Sequence, residues 1–236
     1  MKRFWLRSTP ERNIDAKMNN YKTMNIKQLI IFIFTILLTG CANNKESATD
    51  NQQIKTTKTS NINKGDYIVN KDLSTIKWTG KEITTKSHYG TLDLKEGSIY
   101  VNNDGIISGK VVIDMNSINC LDMSGRGKNR LEGHLRSDDF FGVNSYPEAN
   151  LIFTSWSVNN LGKILYKGDL TIKNITHPIT FSGSVKKIDI GYRSTINLSF
   201  DRTLYEIKFR SGKYFQDLGD KLILDNIDIE AEIVII

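Results

Sequence analysis

An all-β architecture of antiparallel strands is expected for this chain of 236 residues, and three features lead to it. Apolar and polar residues alternate with period two through nearly every segment of residues 65–236, which puts one face of each strand in a dry interior. Polar turn signals separate these runs: "NNDG" at 102–105, "NNLG" at 159–162 and "SG" at 211–212. No helical pattern of crossover length falls between consecutive strands, which disfavours a parallel α/β sheet.

Residues 1–40 do not share the pattern. Lys22 and Lys27 flank a basic stretch, and "LIIFIFTILL" (Leu29 to Leu38) follows as ten nearly unbroken apolar residues before "TGC". As a helix that run rises only about 15 Å, half a bilayer core, so it reads as the apolar region of a signal peptide rather than a membrane span. Leu38, Thr39 and Gly40 resemble the lipobox of bacterial lipoprotein signals, which implies cleavage before Cys41 and lipid attachment there. Translation is expected to begin at Met24 or Met18.

The leader also carries most of the charge. Lys2, Arg3, Arg7, Arg12, Lys17, Lys22 and Lys27 against Glu11 and Asp15 account for +5 of the formal +6. What remains is close to neutral, so no nucleic-acid partner is expected. From Ala42 to Lys64 the chain has two isoleucines and no aromatic residue, too little apolar surface to repay ordering, and is read as a flexible tether with a reach of roughly 25 Å.

The strands follow in order. Ile76, Trp78 and Gly80 alternate with Thr75, Lys77 and Thr79, and Val111, Ile113 and Met115 with Lys110, Val112 and Asp114. Ile164, Tyr166, Gly168, Leu170 and Ile172 form one inward row, and Ile179, Phe181, Gly183 and Val185 another. Residues 192–200 and 227–235 repeat the scheme. One helical segment is expected near 129–141, from Leu131 and Leu135 four apart and from Asn129 and Glu132 spaced as a capping pair.

Alternation alone fits a sandwich or a closed barrel. Gly80, Gly90, Gly168 and Gly183 all fall on the inward phase. They either leave room for a tunnel or permit the bends of a strongly coiled sheet.

Catalytic signatures are absent: there is no G-x-S-x-G, H-E-x-x-H, paired C-x-x-C or phosphate-binding glycine loop. His177 is expected in a strand-connecting turn, where it serves the structure. His88 shares its phase with Gly90, Leu92 and Leu94 and is expected to point inward, bonded to its neighbours or offered to a ligand's polar head. For His134 a helix would place Asp138 on the same face, giving an ion pair or hydrogen bond. A metal would need a further ligand that nothing nominates, so no metal, cofactor or catalysis is expected. With Cys41 assigned to a lipid, Cys120 has no disulfide partner and reads as a shielded thiol.

The chain resembles the YceI-like family of periplasmic proteins over essentially all of 66–236. The carriers are "STIKWTGK" (74–81), "HYGTLDLKEGSI" (88–99), "VVIDMNSINC" (111–120), "LEGHLRSDDFF" (131–141), "YPEANLIF" (146–153), "GDLTIKNITHPITF" (168–181), "DRTLYEI" (201–207) and "LGDKLILDNIDIE" (218–230). The resemblance implies an elongated, lipocalin-like antiparallel barrel of about eight strands, covering 65–236, that holds an isoprenoid quinone or polyprenyl compound. It departs from the family where Lys81 and Glu82 follow the first aromatic strand, and where Leu131 and Glu132 stand before His134.

Expected lining residues, assigned by strand phase, are Trp78, Leu92, Ile113, Phe153, Tyr166, Leu170, Phe181, Ile196 and Leu198, with His88 as the polar contact. The expected partners are the isoprenoid lipid, a membrane through lipidated Cys41, and a second copy in a homodimer. The expected location is the bacterial cell envelope, periplasm-facing or surface-exposed. The rival expectation is a non-enzymatic envelope interaction module whose barrel is filled by its own side chains.

Overall fold

The structure is a computed structural model that describes residues 60–236. The leader, Cys41 and most of the tether lie outside the described residues. Eight strands occur in order: β1 (Gly65–Glu82), β2 (Ser87–Val101), β3 (Ile107–Cys120), β4 (Glu148–Val158), β5 (Ile164–Ile172), β6 (Ile175–Ile188), β7 (Gly191–Asp201) and β8 (Ile223–Ile235). Each pairs antiparallel with its sequence neighbour, and β8 returns to β1, closing the barrel. Closure abolishes the exposed sheet edges that a sandwich would have to protect.

The two ends of the barrel differ. Tight turns join β2 to β3, β4 to β5 and β6 to β7 at one end, with Gly105 and Gly162 at φ of 73° in the first two. The other end carries the long connections, residues 121–147 between β3 and β4 and 202–222 between β7 and β8. The helix, α1 (Gly125–Arg136), lies in the first of these.

The helix starts four residues earlier than expected, after Ser124, and stops at Arg136. Gly125 and Gly127 are poor helix formers and hid the first turn. Asn129 and Glu132 are therefore mid-helix and do not cap it. Residues 137–141 form turns instead, with Phe140 N–H donating to Ser137 O and Gly142 N–H to the same carbonyl.

The sheet is split in two places at the helix end, and each split is covered. β3 pairs with β4 only through Ser108–Asp114, leaving residues 115–120 without a neighbouring strand on that edge. Here α1 substitutes. Glu132 Oε1 accepts from Cys120 N–H at 2.8 Å, Lys128 Nζ donates to Cys120 O at 2.8 Å, and Arg136 donates to Ile118 O. Lys128 and Arg136 each lie 3.5 Å from the Glu132 carboxylate, one turn before and one turn after it.

The second split lies between β6 and β7, which pair only over Ser182–Ile188 and Gly191–Asn197. A 3₁₀ turn, Arg202–Tyr205, fills it. His177 Nε2 donates to Leu204 O at 3.0 Å, and its ring meets Tyr205 edge-on at 5.3 Å. His177 thus sits within β6 and not in the turn, which is Lys173–Asn174, where both residues have positive φ.

The four inward glycines divide. A Cβ on Gly90, Gly168 or Gly183 would strike the carbonyl of Asn119, Ile152 or Thr195 on the adjoining strand, so these three permit close strand approach. At Gly80 a Cβ would meet nothing within 4 Å. That position alone among the four leaves room inside.

Candidate ligand cavity

Inward residues of all eight strands surround an elongated cavity. It extends from Ile62, Ile107 and Ile235 near the short turns to Phe140, Phe141, Arg202 and Leu224 at the helix end. Nearly all of its surface is carbon. Trp78, Leu92, Ile113, Phe153, Tyr166, Leu170, Phe181, Ile196 and Leu198, the nine apolar residues expected to face inward, all stand in this wall.

An aromatic cluster narrows the interior. Tyr166 and Phe181, directly opposite on β5 and β6, stack with centroids 4.8 Å apart, and Phe153 meets them edge-on at 5.5 and 5.7 Å. Such ring pairs add roughly 0.5–1.5 kcal/mol beyond their buried area. Burial pushes the Tyr166 phenol up to about 12, against a small opposing pull from Ser194. It is therefore neutral at any physiological pH.

Polar groups in the wall are few. Arg202 is fully buried, but its guanidinium is committed: Nε donates to Leu224 O at 3.2 Å, Nη1 to Ile207 O at 2.7 Å and Nη2 to Ile223 O at 3.1 Å. Asp225 lies 3.6 Å from it, and the Phe140 ring 5.6 Å. Burial holds the Arg202 pKa below its ordinary value, with Asp225 and Asp201 opposing. Trp78 differs, because its buried indole N–H has no hydrogen-bond partner among the described residues. A buried donor left unpaired costs about 1–3 kcal/mol.

His88 is not in the wall. Its Nδ1 lies 2.8 Å from Asp122 Oδ2 at the barrel rim, where Asp122 also accepts from the N–H of Tyr89 at 3.0 Å and the thiol of Cys120 at 3.2 Å. The alternating phase runs back to the start of β2, but at the rim no interior remains to face, and a loop residue takes the imidazole. Cys120 is fully buried at this junction, and burial, with Asp122 beside it, pushes its thiol up.

His134 does not pair with Asp138. Its ring packs 4.3 Å from Phe209 and 5.7 Å from Phe140, bridging the connection that holds α1 to the one that follows β7. Among the described residues no group of three His, Cys, Asp or Glu side chains is placed to hold a metal. Strand phase could not reveal Arg202 or Ile62 as wall residues, and Ser194, on the inward phase of Ile196 and Leu198, is hidden by its polarity. Arg202 follows the end of β7 in "DRTLYEI", and nothing in the alternation distinguishes a buried arginine from a solvated one.

A closed eight-stranded antiparallel barrel around an apolar cavity is the architecture of barrels that enclose one small ligand. The family follows from comparison: residues 67–235 match the YceI-like domain, and the chain belongs to that family. A UPF0312 protein of Photorhabdus laumondii is 32% identical over 138 residues, 56% of this chain. The match spans 66% of that relative, just under two thirds of its length. Among solved structures, Burkholderia cenocepacia BcnA superposes with a TM-score of 0.50 at 18% identity, covering 70% of this chain and 98% of its own. A polyisoprenoid binding domain from Saccharophagus degradans gives 0.49 at 15% identity, with coverages of 72% and 97%.

Proposed function

We infer that the protein binds a long-chain isoprenoid lipid, a quinone or polyprenyl compound, inside its barrel for storage or transport. The observation that carries this is the elongated carbon-lined cavity, which offers a long apolar chain burial worth about 25 cal/mol per Å². Membership of the YceI-like family supports the isoprenoid class. A carbon-lined cavity bounded by all eight strands counts against a barrel filled by its own side chains. The protein acts as a carrier without catalysis, anchored in the bacterial envelope through lipidated Cys41.

Among the few polar groups in the wall that a head group could meet is the Trp78 indole N–H, which has no partner among the described residues. A neutral acceptor such as a carbonyl or ether oxygen suits it. An ionised head would be held in apolar surroundings without a counter-charge, because Arg202 is already bonded. Native mass spectrometry of the protein purified from its own envelope tests the reading. A bound apolar lipid of polyprenyl mass is expected. A barrel that is empty and also refuses added polyprenyl lipids would overturn it.

A further inference from the structure

The helix end of the barrel presents apolar rings among cations. In the 202–222 connection, Tyr214 and Phe215 are 48% and 49% exposed. Their N–H groups bond to Ser211 O, a turn that carries both residues on the outside. Ile83, 56% exposed, joins them through the neighbouring 83–86 loop: its N–H donates to Leu222 O at 2.9 Å, and the Leu222 side chain lies against Gly212.

Around these residues run Lys208, Arg210, Lys213 and Lys221, with Lys86 from the adjoining loop, against Glu206, Asp217 and Asp220. Lys208 pairs with Glu206 and reaches over the Tyr214 ring, 5.0 Å from its centroid, and Lys213 pairs with Asp201. Lys86, Arg210 and Lys221 have no carboxylate in ion-pair range among the described residues. The opposite end also exposes apolar residues, Leu161 and Ile190, but its turn tips carry Asp104, Lys163 and Asp189, with no cationic excess.

The patch adjoins the cavity. Leu224 both lines it and is 39% exposed, so the cavity wall and the outer surface share a residue beside this loop. Aromatic rings with flanking lysine and arginine suit the headgroup level of a bilayer, and the three cations without ion-pair partners, Lys86, Arg210 and Lys221, suit anionic lipid.

We propose that this face docks on an anionic bilayer surface, so that lipid passes between membrane and cavity beside Leu224. The proposal rests on the reading of the cavity as a lipid site. Hydrogen exchange of the full chain on vesicles tests it, with phosphatidylcholine alone compared with phosphatidylcholine containing phosphatidylglycerol. Amides of 83–86 and 211–218 are expected to exchange about ten-fold more slowly on the anionic vesicles, and about 0.5 M NaCl is expected to remove the difference.

The double substitution Tyr214→Ser with Phe215→Ser changes only exposed side chains and is expected to abolish that protection while the strands exchange as before. Equal exchange on both vesicles, protection of 159–163 instead, or protection that survives the double substitution would overturn the docking face. An empty barrel on lipid extraction would strike the carrier reading alone, since the exchange result does not depend on cargo.

Discussion

Glu132 of α1 accepts the backbone N–H of Cys120, the last residue of β3, at 2.8 Å. A side chain here does what a neighbouring strand does elsewhere in the barrel. With Lys128 and Arg136, it supplies both the acceptor and the donors that the free edge of β3 needs. Glu132→Ala leaves the Cys120 N–H without its acceptor and two cations without their carboxylate. The expected loss is about 1.5–3 kcal/mol, the range for hydrogen bonds to charged groups. Urea unfolding measures it, and Glu132→Gln should recover part of the loss. A stability change within about 0.5 kcal/mol for Glu132→Ala would mean that the helix does not hold this edge.

Two glycines on the same inward phase should behave oppositely. Gly168→Ala drives a methyl group into the Ile152 carbonyl and is expected to cost about 1–3 kcal/mol, read as a lower melting temperature. Gly80→Leu meets open space and should leave the melting temperature nearly unchanged while lowering the lipid recovered per barrel. Equal damage to stability at both sites would contradict the division made here.

Arg202 anchors the helix end from inside. Arg202→Met removes the donors to three carbonyl oxygens and leaves Asp225 with Lys213 as its one cation among the described residues, with an expected cost of about 3–5 kcal/mol. Arg202→Lys should rescue little, since one ammonium cannot reproduce the planar fork. Equilibrium denaturation of both variants checks this.

Four carboxylates set the acid limit. Burial acts to raise Asp122, Glu132 and Asp201, but hydrogen bonds and cations outweigh it, and all three are lowered. Asp228 is lowered chiefly by its bond to Lys81. Because the folded values lie below the ordinary 3.8 for Asp and 4.5 for Glu, their contribution is fully present above those values. It is lost as pH falls through the folded values, so stability measured against pH should decline below about pH 4.5. Asp122→Asn should flatten that decline, and an unchanged slope would remove Asp122 from the account.

Strand phase made most of the barrel readable in the chain. In Ile164–Ile172 every second residue lines the interior or brings a strand close, because a period of two leaves one choice of face per strand. The same rule misled at His88, where the alternation runs on past the interior to the rim. Contacts between distant segments were not legible. Asp122 under His88, Phe209 against His134 and Ile223 O above Arg202 depend on how long connections fold back, and no local period encodes that. The helix start was hidden by two glycines whose low propensity the packing against β3 overrides.

Ile62, 2% exposed, reaches into the cavity at the short-turn end, while Ser60 Oγ donates to Gly105 O at 2.8 Å and Asn63 N–H to the Tyr192 hydroxyl at 3.1 Å. The arriving chain is thus a cork, fitted before β1 begins, at the end opposite α1. It closes the wall of the interior at that end. A cut between Asn63 and Gly65 would pull that cork and open the cavity to leakage at the short-turn end.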